Sequence, residues 1–267
     1  SIYPEFVLMI YLLGLISYAV FFTNLKSFSF PFLLKSSSVF STFVLLSLLF
    51  LLISFDFWNI STNSIFFIDF FSCLLVFSII VLFLVSKKAL QNQGIYKYEY
   101  DVITMLSVLG LLLLNGCNDF LVLYLAIELQ SLSFYVLAVF QRNSEFSGEA
   151  GLKYFILGAL SSGFLLFGFS LLYIEYGSFL FESIARMSFS SDSIISLFGF
   201  SFVFITLLFK LGSFPFHQWL CDVYEGSFVT VTAFFSVAPK AIIFAIFIKL
   251  LYVFFFDFLY FSNLMII

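Results

Sequence analysis

The sequence predicts an all-α membrane protein with about eight transmembrane helices. Hydrophobic residues make up 63% of the 267 residues, charged residues only 10%, and the mean hydropathy is +1.17. A soluble domain carries about 25% charged residues, so this chain has too little polar surface to face water. Long apolar runs separated by short polar breaks are the second observation. The third is that each of the last four runs carries an ionisable side chain away from the membrane interface.

The apolar runs give the order of the predicted helices. About 20 residues, at 1.5 Å per residue, cross the hydrocarbon core of a bilayer. The first run has no basic segment before it, and Asn24 and Lys26 follow it, so we interpret it as a span rather than a cleaved signal peptide. A longer polar connection is predicted at 175–192. The predicted spans are 4–23, 39–58, 65–86, 101–115, 119–140, 147–174, 193–213 and 228–256.

The basic residues predict the orientation of the chain. Six of them follow odd-numbered spans, whereas only Arg186 follows an even-numbered span. Basic loops face the cytoplasm or the mitochondrial matrix, so the N-terminus is expected on the opposite side of the membrane. The net charge is −4, without the basic stripe that nucleic-acid binding requires. The six residues are Lys26, Lys35, Lys87, Lys88, Lys97 and Arg142.

The sequence contains no motif for a cofactor or a metal. Its three cysteines, Cys73, Cys117 and Cys221, are isolated, and no CxxC pair or Cys/His cluster is present. Iron–sulfur clusters, zinc and a disulfide framework are therefore not predicted. A glycine-rich phosphate loop is also missing, so nucleotide binding is not expected.

Four consecutive predicted spans, the fifth to the eighth, each carry an ionisable residue away from the interface. These are Glu128, Lys153, Lys210 and Lys240. A charge near the bilayer centre costs at least about 2.5 kcal/mol, and such residues commonly belong to proton relays. A buried lysine changes its protonation readily when its hydration or its carboxylate partner changes. The series therefore predicts a path for protons.

The seventh predicted span is interrupted beside its lysine. Gly212 and Pro215 follow Lys210 and weaken the helix locally. Broken helices at membrane depth line hydrated cavities and ion sites. His217, the single histidine of the chain, lies just beyond and can connect water to Lys210, because imidazole titrates near neutral pH. The charges of the following CDVYEG stretch are interpreted as solvated loop charges or helix caps: Asp222 and Glu225.

Each of these charges also has a structural interpretation. Lys153 is near enough to the start of its helix to extend its ammonium to the interface, and Lys249 is expected to do so. His217 would serve equally well as an interfacial hydrogen-bonding residue. Glu128 and Lys240 lie too deep for this, so their alternative is a purely structural ion pair. Pro239 directly precedes Lys240 and is expected to kink the helix there.

Three blocks of the sequence resemble the antiporter-like membrane subunits of respiratory complex I, NADH:ubiquinone oxidoreductase. The blocks are NDFLVLYLAIELQSLSFYVLAVF, EAGLKYFILGALSSGFLLFGFSLLYIEYGS and FKLGSFPFHQWLCDVYEGSFVTVTAFFSVAPKAIIF. DVYEG followed by VTAF is similar to the branch called chain 2, or N in bacteria. The resemblance covers about 100–250, whereas 1–99 match only in hydropathy and span count.

The resemblance implies a fold and a set of site residues. It divides the chain into three leading spans, 1–99, and an antiporter-like five-helix unit, 100–267, with a discontinuous seventh helix. The family assigns proton translocation to residues at five matching positions. In this sequence they are Glu128 in LAIELQSL, Lys153 in GLKY, Lys210 in FKLG, His217 in PFH, and Lys240.

The resemblance also implies partners and a location. FMN, iron–sulfur clusters and ubiquinone would lie in other subunits, and membrane lipids and other complex I membrane-arm subunits would surround this chain. The family has two inverted five-helix repeats, whereas this sequence matches only the first of them. A separate chain is therefore expected to supply the second repeat. We interpret the 45 phenylalanines as codon bias in an AT-rich genome. Such a genome suits a mitochondrial origin and an inner-membrane location.

Two other functions fit the same residues. One is a subunit of a cation/proton antiporter complex or of a membrane-bound hydrogenase, which share this module. The other is a structural half-subunit whose proton path is inactive. The DVYEG block favours complex I over the first, and the complete series of buried charges disfavours the second.

Overall fold

The computed structural model describes residues 3–24, 41–50, 52, 63–92, 97–141, 144–188 and 194–264. Within these ranges the chain forms helices joined by turns, with one isolated β-bridge between Asp119 and Leu180. The helices are α1 (Tyr3–Asn24), α2 (Ser41–Phe50), α3 (Asn63–Asn92), α4 (Tyr98–Asn115), α5 (Phe120–Ala138), α6 (Glu145–Tyr176), α7 (Phe181–Ser188), α8 (Ile194–Leu211), α9 (Gln218–Gly226) and α10 (Val229–Leu264).

The predicted all-α membrane fold is confirmed. Among the described residues, five helical segments are long and apolar enough to cross a membrane: α4, α5, α6, α8 and the Val229–Leu251 part of α10. The three leading spans correspond to α1, α2 and α3, whose apolar described stretches are shorter. Much of the predicted second span, 51–58, lies outside the described residues. The chain is thus a multi-pass integral membrane protein.

Two predicted connections prove to be partly helical. Within 175–192, α6 continues to Tyr176, Gly177 ends it with φ +65°, and α7 follows. Lys87 and Lys88, predicted in a loop, belong to α3. The helix continues through them because good helix formers follow the apolar run and Leu90 is buried.

Glycines set the closest approach of the helices. A Cβ atom on Gly168 of α6 would lie 3.0 Å from the carbonyl oxygen of Gly199 in α8, and one on Gly199 would lie 3.2 Å from the carbonyl oxygen of Gly168. A Cβ atom on Gly110 of α4 would lie 2.9 Å from the backbone nitrogen of Gln130 in α5. The backbones of these helix pairs are therefore in direct contact.

The predicted interruption of the seventh span separates α8 from α9. Gly212 has φ +71°, a conformation that glycine adopts without strain. The carbonyl of Leu208 accepts hydrogen bonds from the backbone N–H and the hydroxyl of Ser213, both at 3.1 Å. The carbonyl of Phe209 accepts one from Trp219 Nε1 at 3.3 Å. Groups that follow the break therefore bind carbonyls that a continuous helix would have satisfied.

The two ends of the bundle hold different connections. Residues 116–119 join α4 to α5 at one end, and the chain passes from α5 to α6 at the other. α9 lies at the α5–α6 end, because a Cβ atom on Gly226 would lie 2.6 Å from Cβ of Ala150. α10 starts at that end and crosses toward the α4–α5 end.

Candidate functional site

Lys210 and Lys240 line one cavity between α5, α6, α8, α9 and α10. Its volume is about 20 Å³, which has room for about one water molecule. Five other side chains with a polar group line it: Gln130, Ser131, Tyr154, Trp219 and Tyr224. Two of the four predicted buried charges thus line the same cavity.

Glu128 and Lys210 form a separated charge pair. Nζ of Lys210 and Oε1 of Glu128 are both buried, and neither has a hydrogen-bond partner among the described residues. The carboxylate of Glu128 is nevertheless near enough to act on Lys210 electrostatically. α5 supplies the carboxylate near its middle, and α8 supplies the ammonium in its last turn before the break. Such a pair can gain or lose a proton without first breaking a direct hydrogen bond.

Lys240 faces an aromatic ring rather than a carboxylate. Its Nζ lies 5.3 Å from the ring centroid of Tyr224 in α9, which is within the range of a cation–π contact. Burial raises the pKa of Tyr224 to about 12, so its hydroxyl stays protonated at physiological pH. α10 continues through Pro239 as a helix, and Pro239 also lines the cavity.

A stack of aromatic rings lies against the cavity. The ring of Tyr154 is stacked on Trp219 at 5.2 Å, and Trp219 is stacked on Phe209 at 5.4 Å. Tyr135 meets Tyr154 edge to face at 4.8 Å. These rings join α5, α6, α8 and α9, so the cavity has a fixed apolar wall beside its two lysines.

Lys153 lies apart from the cavity, at the α5–α6 end. Its Nζ contacts Oε1 of Glu149 at 2.7 Å and Oδ2 of Asp222 at 2.8 Å, and 43% of its side chain is exposed. Asp222 was predicted to be a solvated loop charge or a cap. It belongs instead to α9 and forms an ion pair with α6. A surface pocket of about 190 Å³ adjoins the pair, and Glu225 also lines it.

His217 is exposed and lies at the N-cap position of α9. Its ring lies 5.9 Å from that of Phe214, and it does not line the cavity that contains Lys210. The structure therefore places His217 near the break, in a position that fits an interfacial residue. Its predicted role in proton transfer stays a prediction.

Lys249 is not a free interfacial lysine. It donates hydrogen bonds to the carbonyl of Cys117 and, at 3.0 Å, to Oδ1 of Asn118. Its Nζ also lies 5.7 Å from the ring centroid of Phe181. The hydrogen bonds of Lys249 thus link α10 to the connection between α4 and α5. Its position in the sequence did not indicate this role.

The structure brings together part of the predicted set. Lys210 and Lys240 share the cavity and Glu128 acts on Lys210, whereas Lys153 and His217 lie elsewhere. Sequence reasoning missed Gln130 and the partners of Lys153. The i,i+4 spacing of Glu149 and Lys153 is a local signal for one of those partners. Within the described residues no group of three metal-ligating side chains lies close enough to hold a metal ion.

The profile of one protein family matches the part of the chain that forms this site. It is described as "NADH:quinone oxidoreductase/Mrp antiporter, TM" and matches residues 117–267, more than half of the chain. This chain belongs to the NADH:quinone oxidoreductase/Mrp antiporter transmembrane family. Glu128, Lys153, Lys210 and Lys240 all lie inside the matched region.

Curated relatives of this family member are bacterial proteins named NADH-quinone oxidoreductase subunit N. The chain is 42% identical to the one from Parvibaculum lavamentivorans over 188 residues, which are 70% of this chain and 39% of that protein. It is 48% identical to the one from Maricaulis maris over 157 residues, 59% of this chain and 33% of that protein. The chain therefore spans well under half the length of these relatives.

Solved structures share the fold. The chain matches respiratory complex I from Thermus thermophilus with a TM-score of 0.72 and 23% identity, over 91% of this chain and 52% of that chain. It matches the archaeal membrane-bound sulfane sulfur reductase with a TM-score of 0.76 and 19% identity, over 95% and 54%. It matches the Mrp complex from Dietzia sp. DQ12-45-1b with a TM-score of 0.63 and 19% identity, over 96% of this chain and 50% of that chain.

Proposed function

We propose that this family member is a proton-translocating membrane-arm subunit of an NADH:quinone oxidoreductase. The observation that carries the proposal is the cavity lined by Lys210 and Lys240, together with the separated carboxylate of Glu128. The names of the curated relatives support it. The redox centres, FMN, iron–sulfur clusters and ubiquinone, belong to other subunits in this proposal.

The charges suggest how a proton moves. While Glu128 is ionised, it stabilises the ammonium form of Lys210; when that carboxylate is neutralised, Lys210 releases its proton more readily. The released proton passes through the cavity to Lys240, which lines the same cavity. Lys153 and the carboxylates beside it would receive protons at the α5–α6 end. His217 would assist where α8 is broken.

Glu128→Gln tests this proposal directly. The amide keeps the size of the side chain and removes its charge, so NADH-driven proton pumping should slow while the complex still assembles. Proton uptake and NADH oxidation are measured in proteoliposomes that contain the purified complex. Assembly is measured by NADH oxidation with an artificial electron acceptor. Unchanged turnover and an unchanged number of protons per electron would contradict the proposal.

The association with an NADH-oxidising complex has its own test. The chain is extracted in mild detergent, separated on a native gel, stained in the gel for NADH oxidation, and identified with its neighbours by mass spectrometry. Co-migration with flavin and iron–sulfur subunits supports the proposal. Migration in a smaller assembly without NADH oxidation would favour a cation/proton antiporter. The same experiment determines whether a separate chain carries a second five-helix repeat.

A mitochondrial inner-membrane location is part of the proposal. The distribution of basic residues supports an N-terminus on the intermembrane-space side, and the phenylalanine content supports a mitochondrial genome. Protease treatment of intact mitochondria and of mitoplasts tests both statements. An N-terminal epitope that is cleaved only after the inner membrane is opened would contradict the orientation.

A further inference from the structure

We propose that Gln130 is a positioning residue that holds a water molecule between Lys210 and Lys240. The inference rests on the proposed function, since it assigns a further residue to the same proton path. Gln130 would carry no proton itself. Its amide would orient the group that does.

The first observation is an unsatisfied amide oxygen. Gln130 is only 5% exposed, and its Oε1 is buried without a hydrogen-bond partner among the described residues. Its side chain lines the cavity that contains both lysines. Buried polar atoms in proteins almost always have a protein or water partner. An acceptor on the cavity wall therefore indicates a donor inside the cavity.

The second observation comes from Pro239. A proline has no backbone N–H, so the carbonyl of Phe235 cannot receive the usual i+4 helix hydrogen bond. Phe235 and Pro239 both line the same cavity. Lys210 adds a buried ammonium with no hydrogen-bond partner among the described residues. A water molecule there would accept from the Lys210 ammonium and donate to Gln130 Oε1 and to the neutral amine of Lys240, which gives it three of the two to four partners that a buried water requires. The carbonyl of Phe235 is an alternative acceptor beside the same cavity.

The backbone of Gln130 is held in place. Gly110 of α4 contacts it so closely that a Cβ atom on that glycine would lie 2.9 Å from the Gln130 nitrogen and 3.2 Å from its Cα. α4 therefore fixes the part of α5 that carries Gln130. A fixed backbone lets an amide orient a water molecule reproducibly.

The transfer step conserves protons. The ammonium of Lys210 gives one proton to the water oxygen, and the same water gives one of its protons to the neutral amine of Lys240. Lys210 ends neutral, Lys240 ends as an ammonium, and the water is regenerated. Oε1 of Gln130 accepts a hydrogen bond from the water, so that the oxygen lone pair faces Lys210.

A cryo-electron microscopy structure of the wild-type complex in lipid nanodiscs tests the site itself. At a resolution that shows ordered water, one molecule should lie about 2.7–3.2 Å from Gln130 Oε1 and from Lys210 Nζ. Well-defined side chains with no water between them would overturn the proposal, whatever the complex does with protons.

Gln130→Leu tests the function of the site. Leucine has a similar size and no acceptor, so quinone-dependent turnover should fall about tenfold, as expected for the loss of a hydrogen bond in a charged network. The solvent deuterium isotope effect should rise, because proton transfer becomes slower. Gln130→Asn, which keeps an amide oxygen, should restore most of the rate. Gln218→Leu is the matched control, since Gln218 is exposed at the start of α9.

The outcomes separate this inference from the proposed function. Slow pumping in Lys210→Met with normal pumping in Gln130→Leu would overturn the role of Gln130 alone. Normal pumping in both variants would overturn the proposed function as well. If Gln130→Leu does not assemble, Gln130→Met replaces it, and the water density in the wild-type complex decides the question independently.

Discussion

The ammonium of Lys153 in α6 lies 2.8 Å from the carboxylate of Asp222 in α9. This ion pair joins the helix that follows the break to a helix that spans the membrane. Glu149 contacts the same ammonium from one turn earlier in α6, at 2.7 Å. The conformation of α9 and the protonation of Lys153 are thereby coupled.

Asp222→Asn should slow coupled turnover and leave the thermal stability of the complex nearly unchanged. The pair is largely exposed, and exposed ion pairs contribute little to stability, whereas loss of the charge changes the environment of Lys153. Quinone-dependent NADH oxidation and the melting temperature of the purified complex are measured together. Glu182→Gln is the control, because it also removes a carboxylate from an exposed ion pair, the one with Arg186, away from Lys153. Equal rates in the two variants would contradict the prediction.

Lys210→Met should lower coupled turnover by at least about tenfold, since a positioned proton-transfer group contributes about a hundredfold or more. Lys249→Met is unsuitable as a control, because Lys249 is bound to the α4–α5 connection. Lys97→Met is a better control, since Lys97 is exposed at the N-cap of α4. Proton uptake in proteoliposomes gives the rates, and similar losses in both variants would contradict the prediction.

Lys249→Met should destabilise the complex without slowing pumping per assembled complex. The substitution leaves the carbonyl of Cys117 and the amide of Asn118 without their donor, which costs about 1–3 kcal/mol. Thermal dissociation on native gels measures the loss, and NADH oxidation with an artificial acceptor corrects for the amount of complex. A variant of normal stability with impaired pumping would show that Lys249 belongs to the proton path.

Gly168→Ala should reduce the stability of the membrane domain by about 1–3 kcal/mol, the usual cost of overpacking. The added methyl group would lie 3.0 Å from the carbonyl oxygen of Gly199 and from Cβ of Phe202. Gly163→Ala is the matched control in the same helix, because no atom lies within 4 Å of the Cβ position there. Detergent-resistant assembly at increasing temperature distinguishes the two variants, and identical profiles would contradict the prediction.

Hydrophobic runs predicted the helices well because a membrane span needs a long apolar sequence and little else. The break after Lys210 was also predictable, since Gly212 and Pro215 act on the backbone locally. The ends of helices were less predictable. α3 continues through Lys87 and Lys88, where hydropathy falls but helix propensity remains high.

The side-chain partners depended on tertiary packing that single runs do not encode. Lys153 and Asp222 are 69 residues apart, and Lys249 and Cys117 are 132 apart. No local sequence pattern predicts contacts between residues so far apart in the chain. The charges themselves were identifiable because ionisable residues are costly within an apolar run. Gln130 gave no such signal, because its side chain is uncharged. Its importance follows only from the cavity that it lines.

The contact between Gly168 and Gly199 has a mechanical consequence. Two helices whose backbones touch have no layer of side chains between them that could repack, so α6 and α8 must move as one rigid piece. α9 packs on the same piece, because a Cβ atom on Gly226 would lie 2.7 Å from the backbone carbonyl oxygen of Phe146 in α6. The helices on both sides of the break at Gly212 therefore belong to one frame, and a shift of α5 or α10 against this frame would alter the surroundings of the Lys210 ammonium.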